Sequence, residues 1–250
     1  MRVAAVIPVW NEQGAIGPTV AMLPRDVVDH VIVVDGGSRD ATVAEAEAAG
    51  AEVLVELRRG YGRACASGAE RARALGAGVV LFLDGDGSDA GELAGRIVGP
   101  VLDGSADFVI AARTRAGRAR GSMGLHQVLA GELIGGAIGL LSGVRYRDMC
   151  AFRAIRLDRL ERLGMREMTY GWNLEMQMRA ASAGLRVREV PMPYRRRIAG
   201  ESKVAGNLRG TLRAGSRIIA TLLRVAAETR RASRLADPAQ PDQRARREYP

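Results

Sequence analysis

The chain predicts an α/β fold with a mostly parallel sheet and helices on both faces, and three observations predict it. Short runs of Val, Ile, Leu and Ala alternate with helical segments between residues 2 and 84. Those runs are nearly continuously apolar, the pattern of strands covered on both faces. Acids gather just beyond the ends of the runs, where ligands bind in parallel α/β sheets.

The elements follow in order. "RVAAVIPV" (2–9) reads as a buried strand ending at Pro8 and Val9, with a helix around 13–22. "HVIVVD" (30–35) is the second strand. "SRDATVAEAEAAG" (38–50) is a helix capped by Ser38 or Asp40 and closed by Gly50. "AEVLVEL" (51–57), a helix over 62–77 and "VVLFLD" (79–84) complete the regular alternation. Beyond residue 90 it loosens. "DFVIAAR" (107–113) is a fifth strand, and a glycine-containing helix covers 128–144. A stretch extended at first covers 146–155, with helices near 156–163 and 170–183. "LRVREVPM" (185–192) is a last strand.

The expected organisation is one catalytic domain over 1–205, a basic amphipathic helix over 206–235 and a disordered tail over 236–250. The tail is Pro, Gln, Arg and acid with little to bury.

Composition narrows the partners. Apolar residues make up 47% of 250 residues and aromatics only 4%, so the core is largely aliphatic. The net charge of +9 suits an anionic partner. Cys65 and Cys150 form neither a zinc pattern nor a disulfide framework and read as free thiols of a reducing cytosol. No secretory leader is recognisable, and no apolar run reaches membrane-spanning length; 128–144 carries Glu132 and many glycines.

The chemistry concentrates in "FLDGDGSD" (82–89). Asp84 and Asp86 follow a buried strand and are spaced by glycines that leave room for a ligand. An Asp-Gly turn is often only a loop. Two carboxylates this close repel unless a cation lies between them, and magnesium or manganese binds one or two carboxylates together with substrate phosphates. Asp84 could instead hold a sugar hydroxyl. Asp35 ends the second strand and suits a ribose, or merely a turn. A dinucleotide fold requires G-x-G-x-x-G after the first strand, where "PVWNEQG" stands, which argues against NAD.

Seven strings in order, "IPVWNE", "VVDGGSRDAT", "GYGRACASG", "LFLDGDGSD", "RDMCAFRA", "YGWNLEMQMRA" and "YRRRIAGESK", resemble the family-2 GT-A glycosyltransferases over roughly residues 3–220. The last two resemble the branch that makes polyprenyl-phosphate (dolichol-phosphate) mannose or glucose. The resemblance implies a GT-A, Rossmann-like fold, a nucleotide-sugar donor, a divalent metal at Asp-x-Asp and inversion at the anomeric carbon. It implies that Pro8, Glu12 and Asp35 hold base and ribose. It makes Asp84 and Asp86 the metal motif, with Asp86 ahead as direct ligand. It sets Arg113 near the phosphates or acceptor, and Arg197, Ser202 and Lys203 in a segment closing over the diphosphate. Glu175 and Asp148 are candidate bases should the acceptor be a hydroxyl, each weighed against a structural or sugar-binding role. Two departures stand out: "VVDGGS" lacks an acid common after Asp35, and Ala151 stands where a glycine is usual.

The reading is a cytosolic, metal-dependent, inverting hexosyltransferase using a UDP- or GDP-sugar, with a polyprenyl phosphate at the inner membrane face as acceptor. A soluble or lipid hydroxyl acceptor is the alternative, as is a non-catalytic nucleotide-sugar-binding module on the same fold. Over 207–235, Arg209, Arg213, Arg217, Arg224 and Arg231 form a stripe beside Leu208, Leu212, Ile219 and Leu223. Such a helix can lie on an anionic membrane or pack on the domain. Nucleic acid is not expected, because no aromatics interleave with the arginines. Homo-oligomerisation is left open.

Overall fold

A computed structural model describes residues 1–113, 117–119, 135, 136, 138, 139, 144, 146–200 and 208–236, with side chains of the last helix described for 215–229. The elements are β1 (Val3–Val9), α1 (Ile16–Ala21), β2 (His30–Asp35), α2 (Thr42–Ala48), β3 (Glu52–Val55), α3 (Tyr61–Ala74) and β4 (Val79–Phe82). A 3-10 turn (Gly91–Leu93) leads into α4 (Ala94–Leu102). Then come β5 (Phe108–Ala112), β6 (Arg153–Arg156), α5 (Leu157–Arg162), α6 (Trp172–Ser182), β7 (Val187–Pro191) and α7 (Leu208–Ala236).

One seven-stranded sheet runs β3-β2-β1-β4-β6-β5-β7. All pairings are parallel except those of β6, which runs antiparallel to both β4 and β5. The expected mostly parallel α/β sheet is therefore present. The inner strands are largely apolar apart from β6, which carries Arg153 and Arg156, and β1, β2, β4 and β5 are almost wholly inaccessible to solvent.

Pro8 in the central strand β1 has a local reason. Val9 presents its carbonyl to β2, accepting from the Gly36 N–H, while Val6 presents its carbonyl toward β4, accepting from the Leu83 N–H. By alternation Pro8 also faces the β4 side, but β4 pairs with β1 only as far as Val6↔Phe82. The missing proline N–H therefore costs no ladder bond.

Three expectations needed correction. α2 begins at Thr42, not at residue 38, and its N-cap has no side-chain bond. Asp40 instead accepts from Thr42, and Ser38 from the Asn11 N–H. α4 was unforeseen, because Gly95, Gly99 and Pro100 all disfavour a helix; burial of Ile97, Val98 and Val101 outweighs that local preference. In the 146–155 stretch, only 153 onward joins the sheet. The expectations for 128–144 fall mostly, and those for the tail from 237 wholly, outside the described residues.

α7 packs on the domain, but not through the stripe the spacing suggested. Thr221, Val225 and Ala226 are buried and Ile218 and Leu222 half-buried, whereas Ile219 and Leu223 stand 60% and 65% exposed. Arg224, counted in the solvent-facing stripe, turns inward to Glu175 and Glu228. The packed face is thus rotated toward the polar side, because the surface it meets carries acids.

Candidate active site

The site forms where β1, β2 and β4 end together. The turn after β1 is tied to the turn after β2 by reciprocal bonds. The Asn11 N–H donates to Ser38 Oγ (2.8 Å), the Arg39 N–H to Asn11 Oδ1 (2.9 Å), the Glu12 N–H to Thr42 Oγ1 (2.8 Å) and the Gly14 N–H to Glu45 Oε2 (2.7 Å). Asn11 accepts a left-handed φ of 51° to make this turn. Asp35 is buried at its floor and accepts the Gly37 and Ser38 N–H groups. Trp10, 45% exposed, lies beside Gly36.

After β4 the chain makes the Asp-Gly-Asp-Gly turn. Gly85 is required because a Cβ there would lie 2.5 Å from Val9 Cγ1. Gly87 is required twice, by a φ of +73° and by Ile198 Cδ1 at 2.3 Å from any Cβ. Asp86 Oδ1 accepts the Ser88 N–H (2.9 Å) and hydroxyl (2.6 Å), while Oδ2 accepts from Arg197 Nη2 (3.0 Å). A third acid, Asp89, is buried behind the turn. It accepts the Asp84 N–H on one oxygen (3.1 Å) and the Cys150 thiol on the other (3.7 Å). Burial pushes the Asp84 carboxyl well above its usual range, and the charges of Asp89 and Asp86 push it further. Burial likewise raises Asp89 to about 6, against the pull of the Asp84 N–H and Arg113.

The donor set fits a divalent ion. Acidic groups crowd one turn with too little positive charge, so a cation there relieves mutual repulsion. Among the described residues no three His, Cys, Asp or Glu side chains form a complete cage. An ion held by Asp86 and Asp84 would draw its remaining ligands from phosphate oxygens and water.

A strap after β7 crosses this turn. The Arg195 N–H donates to the Ser88 carbonyl (2.9 Å) and the Ile198 N–H to the Asp86 carbonyl (2.8 Å). Between them Arg197 also reaches Glu12, at 3.4 and 3.5 Å. Tyr194 lies under the Arg113 guanidinium, 4.8 Å from ring centroid to charge. Arg113 is held by Asp148 in a bidentate pair (2.7 and 2.6 Å), and its N–H also donates to Asp148.

Of the site residues read from the sequence, Pro8, Glu12, Asp35, Asp84, Asp86, Arg113, Asp148 and Arg197 belong to this strand-end region. Glu12 shares Arg197 with Asp86, and its N–H donates to Thr42. Ser202 and Lys203 fall outside the described residues. Glu175 lies elsewhere. It is fully buried in α6 and accepts the Arg166 and Glu167 N–H groups, Arg179 (2.9 Å) and Arg224 (3.1 Å). Burial alone would raise its pKa; the two N–H groups and then the two arginines outweigh burial and hold it below its ordinary value. Asp89, Tyr194 and Ser88 were missed. Asp89 stands three residues after Asp86, but nothing local separates a buried acid from a turn former.

Comparison with known proteins supplies context. The model of the family described as "Glycosyl transferase family 2" matches residues 4–161. An uncharacterized glycosyltransferase of Mycobacterium tuberculosis is 35% identical over 215 residues, covering 84% of this chain and 93% of the relative. An undecaprenyl-phosphate mannosyltransferase of Micrococcus luteus is 32% identical over 226 residues, covering 84% and 90%. Among solved structures, glucosyl-3-phosphoglycerate synthase from Mycobacterium tuberculosis, in complex with Mn2+, UDP and glucosyl-3-phosphoglycerate, superposes with a TM-score of 0.69 at 22% identity, covering 90% of this chain and 80% of that one.

Proposed function

The chain belongs to glycosyl transferase family 2, and on that premise we propose that it moves a hexose from a UDP- or GDP-sugar to a polyprenyl phosphate, with inversion. The observation that carries the acceptor class is the state of the two candidate bases. Glu175 is saturated by four donors and held ionised, and both oxygens of Asp148 are committed to Arg113. A hydroxyl acceptor needs a base to remove its proton. A phosphate acceptor arrives as an anion and needs only orientation and positive charge. In this reading Glu175 is a structural acid, and Asp148 is a positioning residue that aims Arg113. The name of the undecaprenyl-phosphate mannosyltransferase relative supports the same class.

Asp35 and the turn after β1 receive the nucleoside, with Pro8 shaping that turn. The diphosphate lies toward Asp84, Asp86 and Arg197, and Ser202 and Lys203 extend the same segment. A magnesium or manganese ion held by Asp86 and Asp84 would supply positive charge to the leaving nucleoside diphosphate. Arg197 adds a second cation there. Arg113, fixed by Asp148 and stacked on Tyr194, draws the acceptor phosphate to the face of the sugar opposite the leaving group.

We place the enzyme at the cytoplasmic membrane face. No described helix is long and apolar enough to cross a membrane. The outward side of α7 presents Ile219, Ala220, Leu223 and Ala227 with Arg217 exposed on its flank, a composition suited to anionic lipid.

The test supplies UDP- and GDP-hexoses with Mn2+ to the purified protein, against undecaprenyl phosphate, undecaprenol and 3-phosphoglycerate in parallel. Transfer to the lipid phosphate alone is expected. Transfer to undecaprenol or phosphoglycerate instead overturns the acceptor reading, and donor hydrolysis or transfer of any kind separates an enzyme from a binding module.

A further inference from the structure

Arg197 is placed where a metal would compete with it. Its Nη2 lies 3.0 Å from Asp86 Oδ2 and 3.4–3.5 Å from Glu12. Asp86 Oδ1 already serves Ser88. The oxygen a metal needs is thus the one the guanidinium holds.

The same side chain is incompletely satisfied. Among the described residues its Nε and Nη1 are buried with no hydrogen-bond partner. A guanidinium offers five N–H donors in a fixed fork, and a permanent buried ion pair normally engages them. Three of the five belong to Nε and Nη1. They suit the oxygens of a diphosphate, which accept from such a fork.

The backbone lets the side chain move without the strap. Arg195 and Ile198 pin the strap to the carbonyls of Ser88 and Asp86 on either side of Arg197, and Ile198 is seated against Gly87. A change of partner by Arg197 is therefore a side-chain rotation on a fixed base.

We propose that Arg197 is an exchangeable counter-ion. It neutralises Asp86 in the metal-free protein and yields that oxygen to the metal when the donor's diphosphate draws it away. The inference rests on reading the site as one for metal and nucleoside diphosphate, and it adds a thermodynamic consequence. Metal and nucleotide each remove an obstacle to the other, so each tightens the other by the same factor. Metal alone must displace an arginine, and diphosphate alone meets an arginine held by acids.

The experiment titrates Mn2+ into the full-length protein with and without UDP or GDP, following free aqueous Mn2+ by electron paramagnetic resonance and heat by calorimetry. In the wild type, nucleotide is expected to tighten Mn2+ by about tenfold, within the ordinary range of coupling between sites. Arg197→Gln is expected to bind Mn2+ alone about fivefold more tightly than wild type and to lose that part of the nucleotide effect, keeping only what direct contact between phosphate oxygens and the ion supplies. Arg197→Met, which keeps the stem, gives the same reading should the Gln variant fold poorly. Arg195→Gln removes a neighbouring charge paired with Glu92 and is expected to leave both values unchanged. Equal or weaker Mn2+ binding by the folded Arg197 variants overturns the proposal, as does equal tightening in Arg195→Gln. If the wild type binds neither Mn2+ nor nucleoside diphosphate, the reading of the site falls and the inference with it. Intact binding with unchanged coupling removes the inference alone.

Discussion

Two acid clusters sit in this molecule, and they are opposites. At the end of β4, Asp84, Asp86 and Asp89 share a turn whose charge Arg197 and Arg113 only partly offset. Between α6 and α7, Glu175, Glu167 and Glu228 interlock with Arg166, Arg179 and Arg224. In the first cluster the Asp84 and Asp89 carboxyls are raised, and in the second Glu175 is lowered. An acid cluster with too little positive charge is a site for a cation or a cationic transition state. A saturated one is a joint between helices. Residue type does not distinguish them; the count of donors around each oxygen does.

The largest expected effect comes from removing charge from the unsaturated cluster. Asp86→Asn should lower transfer on the order of 10²–10³-fold with the melting temperature nearly unchanged, since it removes a group needed only when the leaving charge develops. Retained activity would erase the distinction between the clusters.

The opposite pattern is expected for Glu175→Gln. Removing one partner of a buried ion-pair network costs about 3 kcal/mol, a fall in melting temperature of roughly 6–12 °C for a chain of this size. Activity below the transition should change far less. The sign of the pH dependence follows from the lowered pKa. The ionised carboxylate contributes fully above its unfolded value near 4.5 and is lost as pH falls through the folded value. The gap between variant and wild type should therefore be widest at neutral pH and close in acid, as thermal melts across pH would record. A large loss of turnover at unchanged stability would return Glu175 to the catalytic machinery.

Asp148→Asn tests a position between these extremes, a satisfied acid inside the unsatisfied site. It should loosen Arg113, lowering kcat about tenfold while nucleotide affinity, measured by calorimetry, stays near wild type. Restored turnover at high pH, where a weaker base would serve, would argue for proton transfer instead.

The smallest effect lies on α7. Arg217→Gln should weaken binding to anionic vesicles about fivefold, near the value of one arginine at a charged surface. Ile219→Ser with Leu223→Ser should do so more evenly across salt concentrations. Neither should alter transfer to a short, water-soluble acceptor phosphate. Vesicle binding unchanged in both variants would leave the outward face without a lipid role.

Much of this was legible in the residues. The apolar runs of β1, β2 and β4 and the acids beyond them required a parallel sheet with a ligand edge, because such strands are stable only when covered and charges survive only at their ends. The "DGDG" string announced a turn with converging carboxylates. Gly85 and Gly87 proved necessary for contacts that local spacing already allowed for.

Other features depend on partners distant in the chain, and no local pattern encodes them. Glu175 reads like a catalytic acid, and nothing near it in the chain announces Arg224, 49 residues later, which closes on it. α4 forms despite two glycines and a proline because a sheet lies ready to bury Ile97 and Val98. Ile219 and Leu223 look like a packing stripe, yet α7 packs through Ile218, Leu222, Val225 and Ala226, with Arg224 on Glu175, and leaves them outside. Arg197 meets Asp86 across 111 residues. Elements follow from short-range preference and periodicity, whereas the charge balance of a buried group is a sum over everything folded around it, and only the tertiary structure performs that sum.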